Sequence, residues 1–557
     1  MRQVRDGAQG VDRLTPMLPF LRSPPFPDVA PSCAAISMPT DDVQSGKSGS
    51  DEVLDAIAAA RVGGSFWGCR PDPVRLLVRT GVAVDPALLS GLQPDQIGLL
   101  PGSARATVAG RVLPDDCDPW ATIERAKAIH TTDRDEWALV AGLLGVEVIG
   151  PDGEVIAPVQ LREAARRHIA MARYRDPFTG KPVDAATAVD QLADWRRHLE
   201  GNRGIVAASG MAFWKRDAIR RFLWDGTASP PFVSASRGLS RARREKGVLA
   251  VWPSRVPPAT AQDAAAEQVP LVRVEDGFIR SRGLGAALHP PGSVVVDRTG
   301  IYYNARAAND LETLLATHDF PPPLVERAAR LRASICATGV TKYGQDAGQM
   351  PALPPQRRTV LVIGQVDDDL SVSLGGAGVT GNLDFLARVR LAEPDAWIIY
   401  RPHPDVQAGH RKGHLSDAAI LAYADAIDSG APLMELVQAV DDLHVLSSLT
   451  GFEALMRGRS VTVHGMPFYA GWGLTRDLAQ PCIRRGRQLT LDQLVAAALI
   501  LYPRYLDMVT RLPCGPEVMV ERLANGTAAP VTSLIRLREL QGKLRRFMTL
   551  SAEYLHG

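Results

Sequence analysis

Three short strings in this chain hold residue types able to move a sugar off a nucleotide. Gln365-Val-Asp-Asp-Asp-Leu-Ser371 and Arg401-Pro-His-Pro-Asp405 each follow an apolar, strand-like run, and Ser447-Ser-Leu-Thr-Gly-Phe-Glu453 follows the next one. Open α/β sheets collect ligands at the carboxyl ends of their strands. Carboxylates, a histidine, an arginine and hydroxyls are therefore expected to converge at one sheet edge.

Each string has a chemistry that its residue types permit. Three carboxylates in Asp367-Asp-Asp369 suit a divalent cation, a solvated loop, or retaining glycosyl transfer, in which one carboxylate attacks the anomeric carbon and another serves as acid/base. Glu275, in Glu275-Asp-Gly-Phe-Ile-Arg-Ser281, stands at the end of another strand-like run, while Asp276-Gly277 reads as a turn pair. His403 is framed by two prolines, which keep it out of a helix and fix its direction. Beside Arg401 it suits a phosphate leaving group, whose developing charge needs donors. Thr450 and Glu453 have capping-box spacing, and a helix N-terminus preceded by Ser447 and Ser448 is a ready anion site. Glu453 also suits a ribose diol. Asp297-Arg-Thr-Gly300 reads as a hairpin turn, and Asn309 with Glu312 as a helix cap.

The elements that must position these groups follow from length and pattern. At 557 residues the chain exceeds one hydrophobic core and implies several domains. Its 46% hydrophobic and 22% charged residues, with a net charge of +2, fit an ordinary globular enzyme and give no support to nucleic-acid binding. The six cysteines form no Cys-x-x-Cys pair, so reduced thiols in a cytoplasm and no zinc are expected. The first fifty residues lack the apolar core of a secretion signal. The longest purely apolar run, residues 494–501, is far short of the roughly 20 residues that span a bilayer. Membrane contact is expected to be peripheral, through a basic amphipathic end at residues 534–547.

Strand-like runs at Val248-Leu-Ala-Val-Trp252, Leu271-Val-Arg-Val274 and Val294-Val-Val296 alternate with helical stretches. The alternation resumes at Thr359-Val-Leu-Val-Ile363, Trp397-Ile-Ile-Tyr400, His444-Val-Leu446 and Ser460-Val-Thr-Val463. Two α/β halves facing a cleft are expected. Residues 159–223 read as a helical connector broken at Asp176-Pro-Phe-Thr-Gly180. A faint repeat sets residues 121–150 against 437–465: Thr131-Thr132 meet Ser447-Ser448, and Trp137 stands where the later copy has Glu453.

Glu275-Asp-Gly-Phe-Ile-Arg-Ser, Gly300-Ile-Tyr-Tyr, Asn309-Asp-Leu-Glu, Gly364-Gln-Val-Asp-Asp-Asp, Arg401-Pro-His-Pro-Asp-Val, Ser448-Leu-Thr-Gly-Phe-Glu and Pro467-Phe-Tyr-Ala-Gly-Trp-Gly together resemble, in order and spacing over residues 160–515, the capsular polysaccharide β-Kdo transferases. Kdo is 3-deoxy-manno-octulosonic acid. The resemblance is to the C-terminal module of a two-module enzyme, preceded by a shortened, degenerate first module.

The resemblance implies an α/β, GT-B-like fold of two Rossmann-type halves with a helical connector and C-terminal helices. Its divisions are a disordered segment 1–52, a remnant 53–160, a connector and acceptor-side half 161–352, a CMP-sugar half 353–488, and C-terminal helices 489–557. It implies CMP-Kdo as donor and a Kdo-terminated lipid or phosphatidylglycerol-type acceptor at the cytoplasmic face of the inner membrane, beside other capsule assembly proteins. No cofactor is implied, and a divalent metal stays open.

By position, Asp369 matches the nucleophile and Glu275 is the candidate acid/base. Arg401 and His403 match the CMP phosphate contacts, and Gln365, Ser371, Ser447, Ser448, Thr450 and Glu453 the rest of the donor site. Asp276, Arg280, Tyr302 and Tyr303 fall on the acceptor side. There the chain departs from the family pattern, with Asn304 for an aspartate, Gly292 for a leucine and Ala308 for a proline. Two other readings stand beside this one: a non-catalytic scaffold of capsule assembly, and a GT-B transferase using a different nucleotide sugar.

Overall fold

A computed structural model describes residues 19–39, 50–102, 108–279, 290–340, 348–407, 411–428 and 430–526. Arg280 and the basic segment 534–547 lie outside these residues. The chain forms two compact units, Met1–Gly201 with Trp224–Ala228, and Asn202–Leu223 with Ser229–Gly557.

The first unit is built on β1 (Ser37–Pro39), β2 (Leu76–Arg79), β3 (Ile97–Leu100), β4 (Arg111–Val112), β5 (Ala128–His130), β6 (Glu147–Ile149), β7 (Ala172–Arg175) and β8 (Pro182–Val183). Strands β2 to β6 form a parallel sheet in the order β4-β3-β2-β5-β6. The helix Glu136–Leu144 follows β5; Asp135 caps it by accepting from the Trp137 N–H at 3.1 Å, and Gly145 closes it in the left-handed region. Asp135 also receives a bidentate pair from Arg79, at 2.7 and 2.8 Å, so the end of β2 is tied to the start of this helix. Cys69 and Cys117, distant in sequence, bring their sulfurs to 3.4 Å as free thiols.

The second unit contains β9 (Ile205–Ser209), β10 (Val248–Val251), β11 (Leu271–Asp276), β12 (Ser293–Asp297), β13 (Thr359–Ile363), β14 (Trp397–Arg401), β15 (Ala426–Ile427), β16 (Asp442–Val445), β17 (Ser460–Val463), β18 (Arg476–Asp477), β19 (Pro503–Leu506) and β20 (Pro513–Cys514). One sheet runs β15-β14-β13-β16-β17-β18, with every pair parallel. Counted from β13, that is the order 3-2-1-4-5-6 of dinucleotide-binding folds, and the first unit's sheet repeats its first five places. Both faces are covered: Leu361, Ile399, Leu443 and Val461 pack into one core, and Val360, Val362, Ile398 and Tyr400 into another with Phe385 and Val389. Burial on both sides explains why these strands read as continuous apolar runs. The other sheet, β20-β19-β12-β11-β10-β9, is mixed, parallel only from β9 to β11.

Several sequence expectations change here. Residues 159–223 are not a purely helical connector. The break at Asp176 is a hairpin between β7 and β8, made by the Asp176 carboxylate accepting from the Phe178 N–H at 2.7 Å, and Ile205–Ser209 is a sheet strand. Asp297 is not the start of a hairpin, since β12 pairs with β11 and β19; its carboxylate instead accepts from the Gly300 N–H at 2.6 Å and from the Tyr502 hydroxyl at 2.7 Å. Gly277 is required by close approach rather than by a turn: a Cβ there would lie 2.3 Å from Ser293 Oγ.

Gly465, after β17, is hemmed in by backbone, because a Cβ would meet the carbonyl oxygens of Gly375 and Leu446 at 2.5 Å each. Neither backbone can yield cheaply. Gly465→Ala is expected to lower unfolding stability by about 1–3 kcal/mol, read as a lower urea midpoint with unchanged slope.

Candidate active site

The ends of β11, β13, β14 and β16 border one cavity of about 460 Å³, a size suited to a nucleotide sugar. Glu275, Asp276, Tyr302, Tyr303, Gln365, Asp369, Ser371, His403, Ser447 and Ser448 all line it. Ten residues named from sequence alone therefore share one wall-to-wall space.

Asp369 caps the short helix Leu370–Gly375, its carboxylate accepting from the Ser371 N–H at 2.8 Å. The cap holds the carboxylate in one orientation. The acidic triplet disperses: Asp368 pairs with Arg411 at 3.0 Å, and Asp367, raised above the ordinary carboxylate value by burial, meets the Asn382 backbone N–H. Among the described residues, the acidic and histidine groups close enough to share a cation are Glu393, Asp442 and His444, which do not line this cavity.

Gln365 ties the loop after β13 to the loop after β16. Its Oε1 accepts from the Ser447 N–H at 2.7 Å, and its Nε2 donates to Ser447 Oγ at 3.1 Å. Ser448 is the cap of the helix Leu449–Met456, accepting from the Thr450 N–H at 3.3 Å. The cap therefore lies two residues earlier than the Thr450–Glu453 spacing suggests. His403 accepts from the Asp405 N–H through Nδ1 at 3.2 Å, which leaves Nε2 to carry the ring proton in the neutral form.

Glu275 has its pKa raised to about 8, chiefly by burial and then by the Asp276 charge; Lys215 opposes this, and Asp369 adds to it. Its Oε1 accepts from the Asp276 N–H at 3.1 Å. An aromatic group walls this side, with Phe278 4.8 Å from Tyr302 and 4.5 Å from Phe468 between ring centroids. The Tyr303 hydroxyl is buried with no hydrogen-bond partner, and burial pushes its pKa up.

Three expected donor contacts sit elsewhere. Arg401 is 6% exposed and does not line the cavity; it donates to Asp428 at 2.6 Å and to the Ala431 carbonyl at 2.7 Å. A buried carboxylate demands a counter-charge, and Arg401 supplies it. Thr450 is buried under Ser448, its hydroxyl accepting from Ser448 Oγ at 3.2 Å, and Glu453 lines a small apolar cavity with Phe278 and Met456. Arg411, Asp405, Ser254 and Phe468 join the main cavity without having been named from sequence. Of these, only Asp405 and Phe468 lay inside a recognisable string.

The capsule polysaccharide biosynthesis protein family matches residues 248–345 and 336–505, a span that includes every cavity residue. The lipopolysaccharide-processing protein LpsZ of Rhizobium meliloti is 38% identical over 368 residues, covering 63% of this chain and 83% of that protein. The capsule polysaccharide modification protein LipA of Neisseria meningitidis serogroup A is 37% identical over 359 residues, covering 64% of this chain and 51% of LipA. The chain thus spans about half the length of the meningococcal relatives it matches. Among solved structures, the β-Kdo 2,7 transferase of Thermosulfurimonas dismutans KpsC is 32% identical, with a TM-score of 0.48 over 58% of this chain and 99% of that one. The KpsC β-Kdo 2,4 transferase is also 32% identical, with a TM-score of 0.49 over 57% and 98%.

Two measurements check the electrostatics. Arg401→Met leaves Asp428 buried without its cation and is expected to cost about 3–5 kcal/mol of stability, read by denaturant titration. Glu275 binds its proton more tightly folded than unfolded, so its contribution to stability is full below pH 4.5 and is lost as pH rises through about 8. Glu275→Gln should therefore gain stability relative to the parent across that window, measured as the difference in unfolding free energy against pH.

Proposed function

The chain belongs to the capsule polysaccharide biosynthesis family, and from that premise we propose that it is a retaining β-Kdo transferase that takes Kdo from CMP-β-Kdo and passes it to a Kdo-terminated glycolipid of the capsule linker. The observation that carries this reading is the meeting of Asp369 and Glu275, from two different sheets, in one cavity sized for a nucleotide sugar. Retention by double displacement requires such a pair, one carboxylate to attack and one to exchange a proton.

In the first step an Asp369 oxygen attacks the anomeric carbon as the bond to the CMP phosphate breaks, and CMP departs with the electron pair. In this scheme His403 Nε2–H and the backbone N–H groups at the start of Leu449–Met456 receive the phosphate charge. In the second step the acceptor hydroxyl attacks the same carbon. The bond to Asp369 breaks and restores the carboxylate, and Glu275 takes the hydroxyl proton. Arg401 has no part in this scheme, because its guanidinium is committed to Asp428. The two sheets of the second unit are read as the two halves of a GT-B-like fold, with β13 to β18 as the CMP-sugar half. Among the described residues no helix is long and apolar enough to cross a membrane, and the lipid acceptor is proposed to be reached from the inner membrane's cytoplasmic surface.

The test is intact-protein mass spectrometry after mixing with freshly generated CMP-Kdo, with CMP release followed in parallel. The expected result is a mass increase of one Kdo residue, absent in Asp369→Ala. CMP release without an adduct would overturn the covalent route, and CMP binding without turnover would favour a scaffold.

A further inference from the structure

Lys215 is a cation beside this cavity that the scheme above does not use. It ends the short turn Phe213–Lys215 that follows β9 and is 6% exposed. Its ammonium lies 2.8 and 3.0 Å from the two Asp276 oxygens and 3.6 Å from the centroid of the Trp252 ring, with the Trp214 ring at 5.1 Å. Aromatic faces and a carboxylate compensate a desolvated ammonium, so the charge is held beside the cavity wall.

A catalytic base must spend part of each cycle ionised. Glu275 would do so next to Asp276 on its own strand and with Asp369 across the cavity, under the hydroxyls of Tyr302 and Tyr303. Lys215 is a positive group set against Glu275's neighbours, and its grip on Asp276 also fixes the peptide N–H that holds Glu275 Oε1. A bland structural salt bridge would account for the burial of Lys215 alone. It would not account for the pair ending on the residue whose backbone orients the acid/base.

Resting on the transferase reading, we propose that Lys215 is a positioning residue of the transfer reaction, clamping Asp276 so that the Glu275 carboxyl is aimed into the cavity and can ionise beside two other carboxylates. It touches neither donor nor acceptor. Its influence passes through Asp276 and through space.

The experiment compares the full chain with Lys215→Met, Lys215→Arg and Asp276→Asn, each with and without Glu275→Gln. The first readout needs no substrate: the midpoint of the pH-dependent difference in unfolding free energy between each protein and its Glu275→Gln partner. Lys215→Met is expected to move that midpoint up by a unit or more, Asp276→Asn to move it down, and Lys215→Arg to restore it toward the parent. The second readout is CMP-Kdo turnover, where Lys215→Met should lower kcat tenfold or more, leave KM for CMP-Kdo within threefold, and shift the acidic limb of the pH profile upward. Should Lys215→Met fail to fold, the opposite shift in Asp276→Asn carries the test. Midpoints unmoved by either variant overturn the assignment whatever the donor. Moved midpoints in a chain that does not turn over CMP-Kdo uphold the control of Glu275 and overturn the donor instead.

Discussion

The cavity depends on one side chain that joins the two loops at the switch point of the sheet. In the order 3-2-1-4-5-6 the connections after β13 and β16 leave in opposite directions and create a crevice between them. Gln365 spans it with two hydrogen bonds to Ser447. Its own N–H is held by Asn382 Oδ1 at 2.9 Å, so the bridging amide is itself anchored. From that fixed point Asp369 is four residues along on one side and the Ser448 cap is one residue beyond Ser447 on the other.

The division of labour among charges follows from burial. Arg401 and Asp428 neutralise one another inside the unit, a pairing that removes both from chemistry. Asp368 and Arg411 do the same near the surface, at little energetic consequence. Asp369 is held by a backbone N–H instead of a cation, and Glu275 has an anion as its nearest neighbour in sequence. The proposed transfer assigns its chemistry to those two carboxyls and none to the paired ones.

Much of this was legible in the sequence, because parallel strands buried on both faces announce themselves as apolar runs and the reactive strings follow directly after them. β13, β14 and β17 begin where the pattern places them, and the strings after β13, β14 and β16 reach the same cavity. What the pattern hid was partnership across distance. Arg401 looks like a phosphate ligand until Asp428, 27 residues later, is seen to need it. Lys215 carries no local signal, since its meaning lies in Asp276, 61 residues away. The strand β9 escaped because Ile205-Val-Ala-Ala-Ser209 is short and rich in alanine. Glu453 and Thr450 show the converse error, in which a capping spacing was read two residues too deep in the helix.

The bidentate pair between Arg79 and Asp135 occupies, in the first unit, the counterpart of the gap that Gln365 spans in the second. There the strand end and the helix cap are cross-linked by full charges, and the carboxylate already fills the helix N-terminus. A crevice that carries its own counter-ion has its charges already paired. A substitution at that locus would then act first on the tie between strand end and helix start, so its readout is the stability of the first unit.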